Sequence, residues 1–112
     1  MDCIFCEIVR GNVPSDKVYE DELVVAFRDI RPEAPVHVLI APREHLAGIA
    51  DAEERHAGLL GRLLLAAKGV ARSEGVADAG FRLVVNQGDD GGQAVQHLHL
   101  HLLGGRKLRG LG

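Results

Sequence analysis

The run His97-Leu98-His99-Leu100-His101-Leu102-Leu103 decides the fold. Strict polar/apolar alternation is the signature of a half-buried strand, and alternate strand side chains point to opposite faces. The three imidazoles therefore line one face at about 7 Å intervals while the leucines line the other. The leucine face needs an apolar layer, and one stretch is built to supply it. From about Ala52 to Glu74 the residues Leu59, Leu60, Leu63, Leu64, Ala67, Val70 and Ala71 recur at three- and four-residue steps, predicting one long helix with a single apolar stripe. The rest of the histidine strand is predicted to run from Val95 to Leu103. Ahead of it lie Phe81 to Asn86, a further strand, and the loop Gly88-Asp89-Asp90-Gly91-Gly92.

The N-terminal half reads in the same way. Ile4 to Val9 has the spacing of a short helix ended by Gly11, and Pro14 forces an extended exit. Val18-Tyr19 and Leu23 to Ile30 flank Glu20-Asp21-Glu22, a connection of hairpin length between β-prone runs. Val36 to Ala41, bracketed by Pro35 and Pro42, is a third strand. Mostly strands with one long inserted helix means an α+β fold with an antiparallel sheet.

Composition narrows the function. The 112 residues are 46% hydrophobic, the size and make-up of one domain spanning 1–112. Aromatics are 4% with no Trp, too few for a base-stacking platform. A net charge of −3 argues against a nucleic-acid groove that neutralises many phosphates. The charge is uneven: residues 1–90 sum to −6, while 91–112 hold only Arg106, Lys107 and Arg109, a basic tail whose plain role is solubility. No apolar run reaches the roughly 18 residues that span a bilayer, and no basic segment leads into an apolar one at the N-terminus. No membrane partner is therefore expected. Both cysteines sit in Cys3-Ile4-Phe5-Cys6, a spacing unsuited to stapling distant segments and suited to a metal or redox pair in a reducing cytoplasm.

The histidine row carries the chemistry. Three titratable imidazoles side by side are costly to hold uncharged and ordered without a task. Two tasks suit them: supplying ligands to a catalytic zinc with an open position, or nucleophilic attack at phosphorus by one imidazole nitrogen while its neighbours hold its tautomer. The loop Asn86-Gln87-Gly88-Asp89-Asp90-Gly91-Gly92-Gln93 just before the row favours the second, because glycines let backbone N–H groups approach an anion.

His97-Leu-His99-Leu-His101-Leu-Leu resembles the motif of the histidine triad (HIT) superfamily of nucleotide hydrolases and transferases. Cys3-Ile-Phe-Cys6, Phe27-Arg-Asp29-Ile30, the segment from Pro35 through His37 and Pro42 to His45, Val85-Asn86-Gln-Gly88 and Asp90-Gly91-Gly92-Gln93 resemble, in the same order, its Hint branch of purine nucleoside phosphoramidase-like enzymes. The resemblance implies a HIT-like fold, with a five-stranded antiparallel sheet, one long helix and a short N-terminal helix, and the sheet continued across a homodimer. It implies hydrolysis of purine nucleoside 5′-phosphoramidates through a covalent nucleotidyl-histidine intermediate, without an organic cofactor. His99 would be the nucleophile, with His101, His97 and His37 orienting it and balancing charge. Asp29 would accept from the ribose hydroxyls. Ile30, Phe5, Ile8, Phe27 and Leu39 would clamp the base, and Asn86 with the backbone of Gly92, Gln93 and Ala94 would hold phosphate and leaving group. It also implies a structural zinc held by Cys3, Cys6, His45 and His97.

Ala94 departs from the branch, which commonly carries a small hydroxyl residue there. The short tail with Arg106, Lys107 and Arg109 takes the place of a segment that in relatives reaches the partner subunit. His56 fits no motif and is expected at the surface. Competing readings are a zinc-dependent hydrolase with metal in the triad, a dinucleoside polyphosphate hydrolase, and a non-catalytic nucleotide-binding or scaffold protein.

Overall fold

A computed structural model describes residues 3–111. Its elements are α1 (Ile4–Val9), β1 (Lys17–Glu20), β2 (Val24–Arg28), β3 (Val36–Pro42), α2 (Ala57–Ser73), β4 (Phe81–Val84) and β5 (Leu100–Gly104). The strands form one antiparallel sheet in the order β1-β2-β3-β5-β4, the expected α+β architecture.

Both faces of the central strands are covered, which is why β2 is buried at four successive positions, Val24 to Phe27, rather than at alternate ones. On one face α2 lays Leu63, Ala67, Val70 and Ala71 against Val24, Ala26, Val38, Ile40, Leu98, Leu100 and Leu102. On the other, α1 lays Phe5 and Ile8 against Val25, Phe27, Leu39 and Ala41. The leucines of the histidine run thus face α2, as their alternation requires. The β1–β2 turn is held by Asp21, whose Oδ1 accepts from the N–H groups of Leu23 and Val24, each at 2.8 Å.

Four boundaries differ from the sequence reading, one of them that of β2, which closes at Arg28 rather than Ile30 because Arg28 opposite Val38 is its last pair. The long helix begins at Ala57, not near Ala52, because Ile49–Asp51 and Glu54–His56 form separate 3₁₀ turns. A reciprocal pair closes the second of them: the Glu53 carbonyl accepts from the His56 N–H at 2.8 Å, and His56 Nδ1 accepts from the Glu53 N–H at 2.9 Å. His56, expected at the surface, is therefore buried, 2% exposed, with Nε2 3.2 Å from Glu44 Oε2. Ladder pairing in β5 begins only at Leu100, opposite Ile40, not at Val95. Upstream, the Leu98 N–H turns to the Leu46 carbonyl, 2.6 Å away, so His97 and His99 enter the site from an extended lead-in. The strand before the loop closes at Val84 rather than Asn86, since Val84 opposite His101 is the last pair it makes.

Candidate active site

The site lies on the α1 face, where the lead-in to β5 passes beneath the N-terminal helix. Its hydrogen bonds determine the tautomer of each imidazole. His99 Nδ1 donates to the carbonyl of His97 at 2.6 Å, so its Nε2 carries the free lone pair that a nucleophile needs. His97 Nε2 donates to the Pro42 carbonyl at 2.8 Å, leaving its Nδ1 as a lone pair on the opposite side. The Glu33 N–H donates to His37 Nδ1 at 3.0 Å, so His37 carries its proton on Nε2 and donates to His101 Nδ1, also 3.0 Å away. The His101 proton is then on Nε2. A chain of backbone contacts orders four rings in sequence, and one nitrogen, His99 Nε2, is left free to react.

The row is also held neutral. Burial lowers the His99 pKa, opposed by its bond to the His97 carbonyl and by the Asp29 carboxylate. Burial likewise lowers His97. His101 is pushed down to about 4, first by burial and then by His99 and His37. An unfolded histidine titrates near 6.5, so between about 6.5 and 4 the unfolded chain binds a proton that folded His101 refuses. The stability contributed by neutral His101 is complete above that window and lost as pH falls through it. The thermal midpoint is expected to drop between pH 7 and 4.5, and His101→Gln to flatten that profile; an unchanged slope in the variant would assign the drop to other groups.

Beside the row lies a cleft of about 280 Å³, near the small end of ligand pockets. Phe5, Ile8, Phe27, Asp29, Ile30, Leu39 and Ala94 all line it, gathering seven of the residues singled out from sequence. Phe5 closes its inner end: its ring meets those of Phe27, His97 and His99 edge-on, with centroids 5.2, 5.8 and 5.0 Å apart. Ile30 sits on the rim, 92% exposed. Asp29 Oδ1 accepts from the Arg31 N–H at 2.8 Å and Oδ2 stands 3.5 Å from His37 Nε2, an arrangement that leaves carboxylate lone pairs for a ligand hydroxyl. Pro14, Ser15, Arg28 and Val95 complete the lining. The sequence reading missed them, because only the sheet brings the loop after α1 against the end of β2.

The glycine loop is shaped by its own backbone. A Cβ at Gly91 would run into the Gln87 carbonyl, and Gly88 and Gly92 take φ of +70 and +78, the left-handed region that favours glycine. The N–H groups of Gly92 and Gln93 close the loop on Asp89 and Gly88, each at 3.0 Å, and Asn86 Nδ2 donates to the Gly91 carbonyl at 2.6 Å. Gln93 is buried, its Oε1 accepting from the Gly88 N–H and its Nε2 donating to the carbonyls of Ala47 and Val95. Of the groups the sequence reading placed on phosphate, these are spent on loop shape. Ala94, next after the loop, lines the cleft together with Val95.

On the far side of His97, Cys3 Sγ, Cys6 Sγ, His45 Nδ1 and His97 Nδ1 converge. All six separations among them lie between 3.2 and 3.6 Å. A tetrahedron around zinc with bonds of about 2.0–2.3 Å has edges of about 3.3–3.8 Å, so two thiols and two imidazole lone pairs fit that ion in charge, softness and shape. Burial raises the Cys3 thiol, and the Cys6 sulfur beside it adds to the shift; a bound cation would reverse this by deprotonating its thiol ligands. The Cys-x-x-Cys spacing had named the two cysteines and the family resemblance the two histidines, and the fold gathers all four although 94 positions separate Cys3 from His97.

A buried row of imidazoles beside an apolar cleft with a carboxylate on its wall is an arrangement of the histidine-triad class. The chain belongs to the HIT family: the HIT domain is matched over residues 10–108. It is 49% identical over 105 residues to the purine nucleoside phosphoramidase of Escherichia coli K12, covering 94% of this chain and 88% of the relative. It is 53% identical over 109 residues to a 14 kDa zinc-binding protein of Brassica juncea, covering 96% of each. The crystal structure of a HIT family hydrolase from Legionella pneumophila superposes with a TM-score of 0.94 at 48% identity, covering 96% of both chains. The protein is accordingly a HIT-family hydrolase.

Proposed function

We infer that the protein hydrolyses purine nucleoside 5′-phosphoramidates through a nucleotide bound covalently to His99. The observation that carries this reading is the single free lone pair on His99 Nε2, next to a cleft whose walls are apolar and whose polar end is Asp29. The base lies between Phe5, Ile8, Phe27, Leu39 and Ile30, and the ribose hydroxyls donate to Asp29. His99 Nε2 attacks the α-phosphorus, a new P–N bond forms, and the bond to the amine breaks. Positive charge developing on the imidazole is shared through Nδ1–H with the His97 carbonyl. The His101 Nε2–H remains to hydrogen-bond a phosphoryl oxygen. Water then attacks the same phosphorus, releases the nucleoside monophosphate and restores His99. Zinc would be held by Cys3, Cys6, His45 and His97 and would be structural, because four protein ligands would leave it no open position.

The single-domain reading of 1–112 is supported by one sheet with a core on each face. A second copy of the chain is the proposed partner, supported by Leu64 and Leu65, 53% and 64% exposed on α2, and by the outer edge of β4. No helix among the described residues is long and apolar enough to cross a membrane. The two free cysteines suit a reducing compartment, and we place the protein in the cytoplasm.

The test is single-turnover reaction with adenosine 5′-phosphoramidate and acid-free trapping of the labelled protein. Label on His99 that turns over to adenosine monophosphate supports the reading. Tight nucleotide binding without label would make the protein a binding module, and faster cleavage of dinucleoside polyphosphates would change the substrate class.

The Ala94 side chain brings no hydroxyl to the cleft, so the departing amine takes its proton from water. Ala94→Ser is expected to accelerate poor amine leaving groups by up to about 10²-fold and good ones little, because the added hydroxyl stabilises only charge that develops on the leaving atom. Rates measured across an amine series check this. An equal effect on all members, or none, would show that the position does not act on the leaving group.

A further inference from the structure

Ser15 Oγ is the one buried side-chain oxygen or nitrogen among the described residues that has no hydrogen-bond partner. A buried hydroxyl left unpaired forfeits its hydration and gains nothing in return, so each case asks for a physical explanation. Here the explanation lies in its place. Ser15 lines the nucleotide cleft, as do Pro14, Arg28 and Asp29. The next residue is anchored to β2: the Arg28 N–H donates to the Asp16 carbonyl at 3.0 Å, and Arg28 Nη1 donates to Asp16 Oδ2 at 2.9 Å. The remaining freedom is the serine χ1, whose staggered wells move the hydroxyl around a Cβ that stays put.

Apart from Asp29 and from Arg28, whose guanidinium is engaged by the carboxylates of Asp16 and Glu74, the cleft wall around it is made of hydrocarbon. Phe5, Ile8, Phe27 and Leu39 accept the flat faces of a base and supply nothing to its polar edge. Asp29 is engaged by the Arg31 N–H and faces His37, and as a carboxylate it accepts only. A serine hydroxyl both donates and accepts, so it matches a heterocycle edge that presents ring nitrogens and an exocyclic group.

We propose that Ser15 is a specificity-determining residue for the bound nucleotide, its hydroxyl turning into the cleft to hydrogen-bond the edge of the nucleobase. This rests on the nucleotide reading of the cleft. It makes the hydroxyl's missing partner the ligand itself: unpaired in the free protein, paired in the complex.

The proposal has a signature that a structural serine does not share. Ser15→Ala removes an unsatisfied group from the free protein, so its thermal midpoint is expected to stay level or rise. Affinity for adenosine monophosphate is expected to fall about 3- to 10-fold, the worth of one neutral hydrogen bond. Affinity for ribose 5-phosphate, which has no base, is expected to be unchanged. With the phosphoramidate substrate KM should rise and kcat should hold, because the base is remote from the reacting phosphorus. Calorimetric titration of wild type and variant with both ligands, alongside thermal melts, reads all of these. A lower midpoint with unchanged nucleotide affinity would make the serine structural and overturn the proposal. Equal loss for both ligands would also overturn it, placing the contact off the base. Wild-type protein that binds no adenosine monophosphate would fail at the earlier step, the nucleotide reading, and take this inference with it.

Discussion

His99→Ala is expected to lower kcat/KM by at least about 10³-fold, roughly 4 kcal/mol of barrier, while the fold survives. The expectation follows from the direction of its ring. Nδ1 is committed to the His97 carbonyl at 2.6 Å, which leaves the Nε2 lone pair free, whereas the lone pair of His97 Nδ1 is directed among Cys3, Cys6 and His45. Alanine removes the covalent route altogether, and water alone is left to attack. The side chain meets the rings of Phe5 and His101, so the loss in stability is that of two ring contacts and not of the core. Steady-state kinetics and a thermal melt check the two halves. More than a tenth of wild-type activity remaining would reject nucleophilic catalysis by this residue.

Cys3→Ser combined with Cys6→Ser is expected to have the largest effect on stability. With free zinc at 100 to 1,000 times its dissociation constant, a bound ion stabilises the native state by about 3–4 kcal/mol, on the order of 10–20 °C in a domain of this size. The loss has a clear structural route. Cys3 caps α1, its sulfur 3.2 Å from the Cys6 N–H, and the four ligands tie that helix to the loop after β3 and to the lead-in of β5. Below the variant's midpoint, turnover should fall far less than in His99→Ala, because His97 faces the ion through Nδ1 and supports His99 through its carbonyl. Those are two separate atoms of one residue. Metal analysis of protein purified without added zinc, with activity measured before and after chelation, completes the test. Stoichiometric zinc whose removal abolishes activity in folded protein would move the metal into the catalytic step.

Much of this was legible because local patterns are strong where they are periodic. Alternation in His97 to Leu102 separated imidazoles from leucines before any partner strand was known, and the stripe of α2 showed what the leucines pack on. Short motifs did the same for chemistry. Cys3-x-x-Cys6 is a ligand pair at any position in a fold, and Asp29 was singled out by its motif rather than by its surroundings. Where the reading went astray, a long-range contact had overridden a local one. His56 looks like a helix-surface residue by spacing, but the Glu53 N–H and the Glu44 carboxylate bury it and delay α2.

By itself, then, the sequence determined the α+β class, the opposed faces of the histidine strand, the apolar stripe that covers one of them, and the residue types for a metal site and a nucleophile. These depend on periodicity and side-chain chemistry, which act over a few residues. The tertiary structure alone decided which nitrogen of each imidazole is free. That choice hangs on the carbonyls of His97 and Pro42 and the N–H of Glu33, and on pairing β3 with β5 so that His37 meets His101. It also decided that Ser15, unremarkable in its loop, stands unpaired in the cleft. Proton positions and unpaired groups are properties of contacts between residues far apart in the chain, and a contact of that kind exists only once the chain has folded.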